Sequence, residues 1–440
     1  LMQEKERRNN SLTLIASEWA MANHIKDALS SVFAEKYFEG TPSNSSLERL
    51  QDLSIIDREL VKLKKPGWYA PGCEIYDDLS WLSQSLVLDL FDPNNVTNYY
   101  VDNRILSGSQ ANLAVVLTIM KKRKKNRLKI LCLDMNHGGH LSHGLKSNIL
   151  GIIHDIFEYQ FSETSGLMDY DNFKVKVNSI NPDLVIYGGS ACPRDWDHSR
   201  IKQIVQGNSE AELLFDGSHP AGLIATGLNN NPFFEGIPFI TMTTNKTLCG
   251  PRGAFIACLP EYAESLARSV FPGLTAGPHG HEIFAKLVTY EYALTEQFKT
   301  LMQNVKSNAA FLSMELTNKY NIKLVSGGTD THMILIDLNK TIPNRNLTGL
   351  QIEIWAENCG FYMNRNTIPF DPKPAQNETS GIRVGVGVAT QRGMGHEAMS
   401  IIAKQIAHLI YEGEDPYIRS VVKQNISKLV ADYPFSDTYL

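Results

Sequence analysis

Four short stretches hold residues whose types and placement could do chemistry. The first is Ser107-Gly108-Ser109, at a strand-to-helix turn. Free backbone N–H groups at a helix N-terminus hold a phosphate, and small residues let it approach closely. Alone, the same turn would serve as a simple helix cap. The second is Phe215-Asp216-Gly217-Ser218-His219, at the end of an apolar run. A carboxylate there can keep a pyridine nitrogen protonated, so that the ring accepts electrons. An Asx turn closing the strand is the plainer reading. The third is Thr243-Thr244-Asn245-Lys246-Thr247-Leu248, again just past a strand. A semi-buried lysine loses proton affinity and becomes a usable amine nucleophile; a lysine on an open loop would not. The tight turn expected at Cys249-Gly250-Pro251-Arg252-Gly253 would fix its stem. The fourth is Arg383, in Ser380-Gly381-Ile382-Arg383-Val384. An arginine in an apolar strand needs an anionic partner, and its planar fork suits a carboxylate. A structural ion pair would satisfy it equally. Phosphate cradle, ring-nitrogen acid, Schiff-base lysine and carboxylate-binding arginine are the parts that a pyridoxal-phosphate amino-acid enzyme needs. Lys246 is the expected Schiff-base lysine.

These residues need elements to position them. Residues 22–40 read as a helix with Ile25, Leu29, Val32 and Phe33 on one face. A second helical pattern carries Leu47, Leu50, Leu53, Ile56 and Leu60, and Pro66-Gly67 stops it. From about residue 84 the pattern becomes strand, turn, helix, repeated. A helix is expected over 109–125, and apolar strands over 129–135, 183–190, 212–216, 239–244 and 254–259, with helical material such as 199–206 between them. Apolar strands alternating with helices argue an α/β fold with a mainly parallel sheet covered on both faces. Ligands bind such sheets where strands end and loops begin. After about residue 300 the texture changes. Strands at 333–337 and 381–385, and a helix with Met399, Ile402, Ala403, Ile406 and Leu409 on one face, suggest a smaller α+β domain. The expected division is an N-terminal arm with helices (1–65), a large α/β domain (66–295) and a small C-terminal α+β domain (296–440).

Composition narrows the function classes. The 440 residues are 43% hydrophobic and 20% charged, as in globular domains. A formal net charge of -5 gives no global reason to expect nucleic acid. The basic run Lys121 to Lys125 falls at a helix end, where cations suit the dipole and solvent. The six cysteines form no C-x-x-C pair, which suits buried thiols in a reducing compartment. No stretch reaches the length of a membrane span, and the charged N-terminus has no signal-peptide core. Cytoplasm is the default location, or an organelle if a leader was removed. A metal site on His137, His140 and His143 is a weaker alternative, because no carboxylate or cysteine accompanies them locally.

Nearly the whole chain resembles the serine hydroxymethyltransferase family. Leu14-Ile15-Ala16-Ser17-Glu18 looks like its N-terminal signature, and Lys36-Tyr37-Phe38-Glu39-Gly40 resembles its Lys-Tyr-x-Glu-Gly segment. Ser107-Gly108-Ser109-Gln110-Ala111-Asn112 matches its phosphate turn. His137-Gly138-Gly139-His140-Leu141-Ser142-His143-Gly144 matches its histidine loop, and Asp216 to Leu223 resembles its Asp-x-Ala-His-x-Ala-Gly-Leu. Val270-Phe271-Pro272-Gly273, Ser326 to Asp330 and Ser380 to Gly385 fit as well. The resemblance implies the fold-type I architecture of pyridoxal-phosphate transferases, with a seven-stranded sheet in the large domain. It implies pyridoxal 5'-phosphate as cofactor, an amino-acid substrate, and a homodimer with shared active sites. It also implies roles. His140 would stack on the cofactor ring, Asp216 would pair with the ring nitrogen, and Ser190 and His219 would lie near the ring hydroxyl. Ser107, Gly108 and Ser109 would hold the phosphate, with Gly277 helping across the dimer interface. Lys246 would hold the cofactor, and Thr243 beside it joins the catalytic set. Ser17 and Arg383 would grip the substrate carboxylate. Tyr37 and Glu39 would come from the partner subunit, Glu39 transferring protons.

The departures from the family pattern fall on the second-substrate side. Asn245 stands where the family has His, and Trp19 where Asn is usual. A link carrying two folate-stacking tyrosines is stretched by the helix around Leu47 to Lys65, and only Tyr69 survives clearly. Arg104-Ile105-Leu106 replaces a Gln-Pro-x segment, and Gly385 to Ala389 replaces Gly-Thr-Pro-Ala. Asn366 sits where the family has a folate-contacting Asn. The leading expectation is therefore a transferase of serine/glycine chemistry that makes or breaks a Cα–Cβ bond, with tetrahydrofolate as an open co-substrate. One alternative is a folate-free aldolase or transaldolase passing the glycine carbanion to another aldehyde. A second is a catalytically silent homologue acting as partner or regulator.

Overall fold

The computed structural model describes residues 1–42, 67–94, 96–372 and 378–439. The helix expected around Leu47 to Lys65 lies outside the described residues. Twelve strands follow in chain order: β1 (Leu12–Thr13), β2 (Tyr100–Asp102), β3 (Lys129–Leu133), β4 (Asp155–Tyr159), β5 (Leu184–Gly188), β6 (Glu212–Asp216), β7 (Phe239–Thr243), β8 (Ala254–Cys258), β9 (Met333–Asp337), β10 (Phe361–Tyr362), β11 (Asn364–Asn366) and β12 (Gly381–Gly385). Seven of them form one sheet in the order β2-β8-β7-β6-β5-β3-β4. The five from β7 to β4 run parallel. β8 is antiparallel to β7, and β2 to β8.

The strands form where apolar residues permit burial on both faces. Leu131, Val185, Leu213, Phe215 and Met242 enter the core on one face. Ile130, Ile186, Leu214, Phe239 and Ile256 enter a second core on the other. This period-two alternation, apolar on both sides, is what a doubly covered sheet requires. Fold-type I architecture, with helices on both faces of a mainly parallel seven-stranded sheet, is therefore observed. Asp216 and Thr243 end neighbouring parallel strands, so they share the carboxyl edge of the sheet.

The later part of the chain builds a three-stranded antiparallel sheet in the order β11-β12-β9. The helix Gly349–Asn358 packs on β11 and β12, and the helix Glu296–Asn318 packs on β9 and on the helix His396–Glu412. Met399, Ile402, Ala403, Ile406 and Leu409 are all buried, as their spacing predicts. The N-terminal arm laces onto this part. β1 pairs parallel with β10, and the Gly385 N–H donates to the Leu14 carbonyl at 2.8 Å. That pairing carries Ser17 toward Arg383.

Some expectations need correcting. The helix expected over 22–40 is only Asn23–Leu29, followed by a 3-10 turn at Val32–Ala34. The Ser30 and Ser31 hydroxyls donate to the Asp27 and Ala28 carbonyls at 3.0 and 2.7 Å, which competes with helix continuation. Val32 is consequently exposed rather than on the buried face. Residue 84 lies inside a helix, Glu74–Phe91, and the first strand of the large sheet begins at Tyr100. The basic run at Lys121 to Lys125 is partly neutralised by two carboxylates. Lys122 pairs with Glu212 at 2.8 Å and Lys125 with Asp183 at 2.7 Å. All six cysteines are free and buried. No helix among the described residues is long and apolar enough to cross a membrane.

The loop after β7 is held against the short helix Ala221–Ala225. The Gly222 N–H donates to Thr247 Oγ1 at 2.9 Å, and that hydroxyl donates to the His219 carbonyl at 2.7 Å. A Cβ on Gly222 would lie 2.4 Å from the Thr247 carbonyl oxygen. Gly222→Ala should therefore destabilise the protein by roughly 1–3 kcal/mol through overpacking. The check is the urea unfolding midpoint, which should fall; an unchanged midpoint would show that the loop has room to move.

Candidate active site

A cavity of about 510 Å³ opens at the carboxyl edge of the large sheet, against the small sheet. Lys246 lies in it, three residues past β7. The loop that carries this lysine is closed on itself. The Thr244 N–H donates to the Gly253 carbonyl at 3.0 Å, and the Gly250 N–H to the Thr244 carbonyl at 2.8 Å. Thr244 Oγ1 donates to the Pro251 carbonyl at 2.7 Å. The tight turn expected after Lys246 is thus present, and it fixes the lysine's stem. Burial strips water from the ammonium and lowers its pKa to about 8. Asp216 opposes that shift, while Arg383 and Arg252 reinforce it.

Asp216 is buried, and its donors account for its state. Asn112 Nδ2 donates to Oδ2 at 2.9 Å, His143 Nε2 lies 3.0 Å from the same oxygen, and the Ser218 N–H donates to Oδ1 at 3.1 Å. The His140 N–H points at His143 Nδ1, 3.4 Å away, so Nε2 carries the His143 proton and donates it to Asp216. Burial alone would raise the Asp216 pKa, but the His143 hydrogen bond, with His140 and Lys246 nearby, holds it below the usual carboxylate range. His140 also accepts at Nδ1, from the Ser142 N–H at 3.2 Å. Burial pushes its imidazole down to about 4, so the ring facing the cavity is neutral at physiological pH. The structure does bring a carboxylate to this histidine loop: His140, His143 and Asp216 each offer a ligand atom within 4.8 Å of one another, with His143 and Asp216 hydrogen-bonded directly to each other. His137 is turned away and accepts from the Phe161 N–H at 3.1 Å.

Arg383 projects from the middle of β12 and is nearly fully buried. Its Nε donates to Asn364 Oδ1 at 3.2 Å, and Nη1 to the Ser190 carbonyl at 2.6 Å. Among the described residues no carboxylate pairs with it, which answers the structural ion pair left open by the sequence. Burial lowers its pKa to about 10, so it remains a cation at physiological pH. Ser17 and Ser190 line the cavity with it. Ser107 caps the helix Gly108–Arg123 by accepting from the Gln110 N–H at 3.2 Å, and Ser107, Gly108 and Ser109 all line the cavity. A Cβ on Gly108 would lie 2.8 Å from Thr243 Cγ2, so the helix start packs directly on the end of β7. Thr243 and His219 complete this wall. His219 Nδ1 lies 3.3 Å from His332 Nε2 with the ring planes 13° apart, an in-plane hydrogen bond between two buried imidazoles.

One chain does not bring every expected residue here. Tyr37, Glu39, Tyr69, Gly277 and Asn366 are not among the residues lining the cavity. Tyr37 is exposed, with its ring against Gly277, where a Cβ would lie 3.4 Å from it. Tyr69 is exposed and packs on Phe271 at 5.5 Å, beside a second cavity of about 460 Å³. Asn366 Nδ2 donates to the Thr367 carbonyl at 2.6 Å. Conversely, sequence reasoning gave no role to Asn112, His143, Arg252 or His332. Asn112 and His143 sit inside matched motifs but meet Asp216 only in three dimensions.

The donor set fits pyridoxal phosphate. A capped helix start could hold an anion, a buried carboxylate could pair with a ring nitrogen, a neutral imidazole could stack on a ring, and a lysine amine lies in the same cavity. Because burial favours the neutral amine, Lys246 of the cofactor-free protein should react with an amine acylating reagent with a pH midpoint near 8, its reactivity rising above that pH. Pulse labelling across pH, read by peptide mass spectrometry, checks this; a midpoint near the ordinary lysine value of about 10.4 would contradict it. The family model described as serine hydroxymethyltransferase matches residues 65–406. That family is pyridoxal-phosphate-dependent and uses tetrahydrofolate as co-substrate. Its fold and the kind of cavity found here agree, and the chain belongs to the serine hydroxymethyltransferase family as a pyridoxal-phosphate-dependent, hydroxymethyltransferase-like enzyme.

Proposed function

We propose that the enzyme makes and breaks the Cα–Cβ bond of serine, with tetrahydrofolate carrying the one-carbon unit. The observation that carries this reading is Arg383, a buried cation without a carboxylate partner among the described residues, in one cavity with Lys246 and Asp216. A free guanidinium edge binds a carboxylate bidentately, and the amino-acid carboxylate is the anion suited to it. Ser17, brought beside it by the β1–β10 pairing, adds a hydroxyl. Two anchored points then orient the bond to be broken. Pyridoxal phosphate, when bound, supplies the electron sink for the pair left at Cα. Ser107, Gly108 and Ser109 would hold its phosphate, Asp216 its ring nitrogen, His140 its face, and Ser190 and His219 its hydroxyl edge. Lys246 would anchor it through its amine, with Thr243 lining the same cavity. Tyr37, Glu39 and Gly277 serve the cavity of a second copy of the chain, Glu39 moving protons there. Their shared position outside the chain's own cavity supports a homodimer with shared sites. Tyr69 and Asn366 contribute to the folate side of such a site.

One observation favours the folate-free second reading. The Trp19 indole lies against Gly387, where a Cβ would come within 2.5 Å of it, and 6.0 Å from the His332 ring. It occupies space next to the strand that carries Arg383. Passing the glycine carbanion to a different aldehyde would use the same grip on the amino acid with a reshaped acceptor wall.

Arg383→Ala should raise KM for serine roughly 30-fold or more, since truncating one partner of a buried charge pair costs about 2–5 kcal/mol. Steady-state kinetics checks it, and an unchanged KM would remove Arg383 from the carboxylate site. Conversion of serine to glycine should depend on added tetrahydrofolate. Turnover of threonine with an added aldehyde, indifferent to tetrahydrofolate, would instead establish the second reading.

A further inference from the structure

We propose that Arg104 is a positioning residue that ties the Tyr37–Gly40 strap to the phosphate-binding turn, so that Glu39 is presented in fixed register to a second copy of the chain. This rests on the reading above, in which Glu39 moves protons in the partner cavity. Arg104 and Asp102 are only 3% and 2% exposed. Nε and Nη2 of Arg104 meet the two carboxylate oxygens of Asp102 at 3.0 and 2.5 Å, a bidentate pair. The Arg104 N–H and the Tyr100 hydroxyl donate to the same carboxylate at 3.0 and 3.2 Å.

The remaining donors reach two other segments. Nη1 donates to the Gly40 carbonyl at 2.9 Å, and Nη2 to the Ala267 carbonyl at 3.4 Å. Glu39 is therefore pinned from both sides. Its own carbonyl accepts from the Tyr69 N–H at 2.9 Å, and the next carbonyl accepts from Arg104. Gly40 adopts φ +136°, and a Cβ there would lie 2.2 Å from the Gly67 carbonyl oxygen, so the strap runs flush against the chain at Gly67. Behind Arg104 the backbone is clamped as well. Buried Lys286 donates from Nζ to the Asn103 and Ile105 carbonyls at 2.9 and 2.6 Å. Ser107 follows two residues later. Buried ion pairs are often no more stabilising than apolar replacements. What this one supplies is a rigid link between three segments.

The test uses holoenzyme of Arg104→Lys, which keeps the charge but cannot hold Asp102 and Gly40 together, and of the neutral double variant Asp102→Asn/Arg104→Gln. Glu39→Gln and its combination with Arg104→Lys complete the cycle. Amide hydrogen exchange at Thr41 and Tyr69 should speed up about tenfold or more, with the helix Gly108–Arg123 unaffected. The kcat for serine cleavage should fall by up to about a hundredfold, as for a small misplacement of a reacting group, with KM and cofactor affinity held within about twofold. Adding Arg104→Lys to Glu39→Gln should cost nothing further. Unchanged exchange overturns the link, and an additive loss of kcat overturns the positioning role. Failure of both variants to yield soluble holoenzyme makes Arg104 a stability residue and also overturns it. Full activity of Glu39→Gln would defeat the Glu39 reading instead, and the link would then stand or fall on exchange alone.

Discussion

Asp216 must remain an anion inside the protein, and the hydrogen bonds from His143 and Asn112 are what allow it. A carboxylate moved from water into the interior pays a large solvation penalty unless donors replace the lost water. Here the donors come from the helix after Ser107 and from the histidine loop after β3. Both segments are thereby fixed to the end of β6. The Ser107 turn and His140 inherit their positions from that requirement. The retained negative charge also limits how far burial can depress Lys246.

Of the three cationic side chains lining the cavity, Lys246 and Arg383 are held by different means. Lys246 depends on a loop of backbone hydrogen bonds closed between Thr244 and Gly253. Arg383 depends on its place in a strand, with Asn364 opposite in the register and the Ser190 carbonyl across the cleft. One cation therefore moves with the large sheet and the other with the small sheet. A ligand with a carboxylate at one end and an amine at the other would bridge the two. The N-terminal arm reinforces that bridge, because β1 joins β10 and delivers Ser17 to the same wall.

Glu39 and Tyr37 lie on a strap tied at the Glu39 and Gly40 carbonyls, and neither side chain lines the chain's own cavity. Tying backbone firmly while leaving functional side chains outside is what a shared site would require of each copy. Arg104, which departs from the family pattern, makes that tie with a buried ion pair. Trp19, another departure, packs against Gly387 just past β12.

The sequence by itself determined five of the seven strands of the large sheet, all but β2 and β4. Apolar runs located β3, β5, β6, β7, β8, β9 and β12 to within a few residues, because burial on both faces leaves few alternatives. It also located Lys246, Asp216, Arg383 and the Ser107 turn, because each follows or sits within such a strand. Motif resemblance then supplied their chemistry. The helix expected over 22–40 failed because Ser30 and Ser31 offered the backbone local competitors that apolar periodicity does not register. Only the tertiary structure decided the rest. The contacts of Asn112 and His143 with Asp216, of His332 with His219, and of Arg104 with Gly40 join residues far apart in the chain. The absence of a carboxylate beside Arg383, among the described residues, is likewise a property of space. Hydrogen bonds act over about 3 Å whatever the sequence separation, so pairings of this kind exist only once the chain has folded.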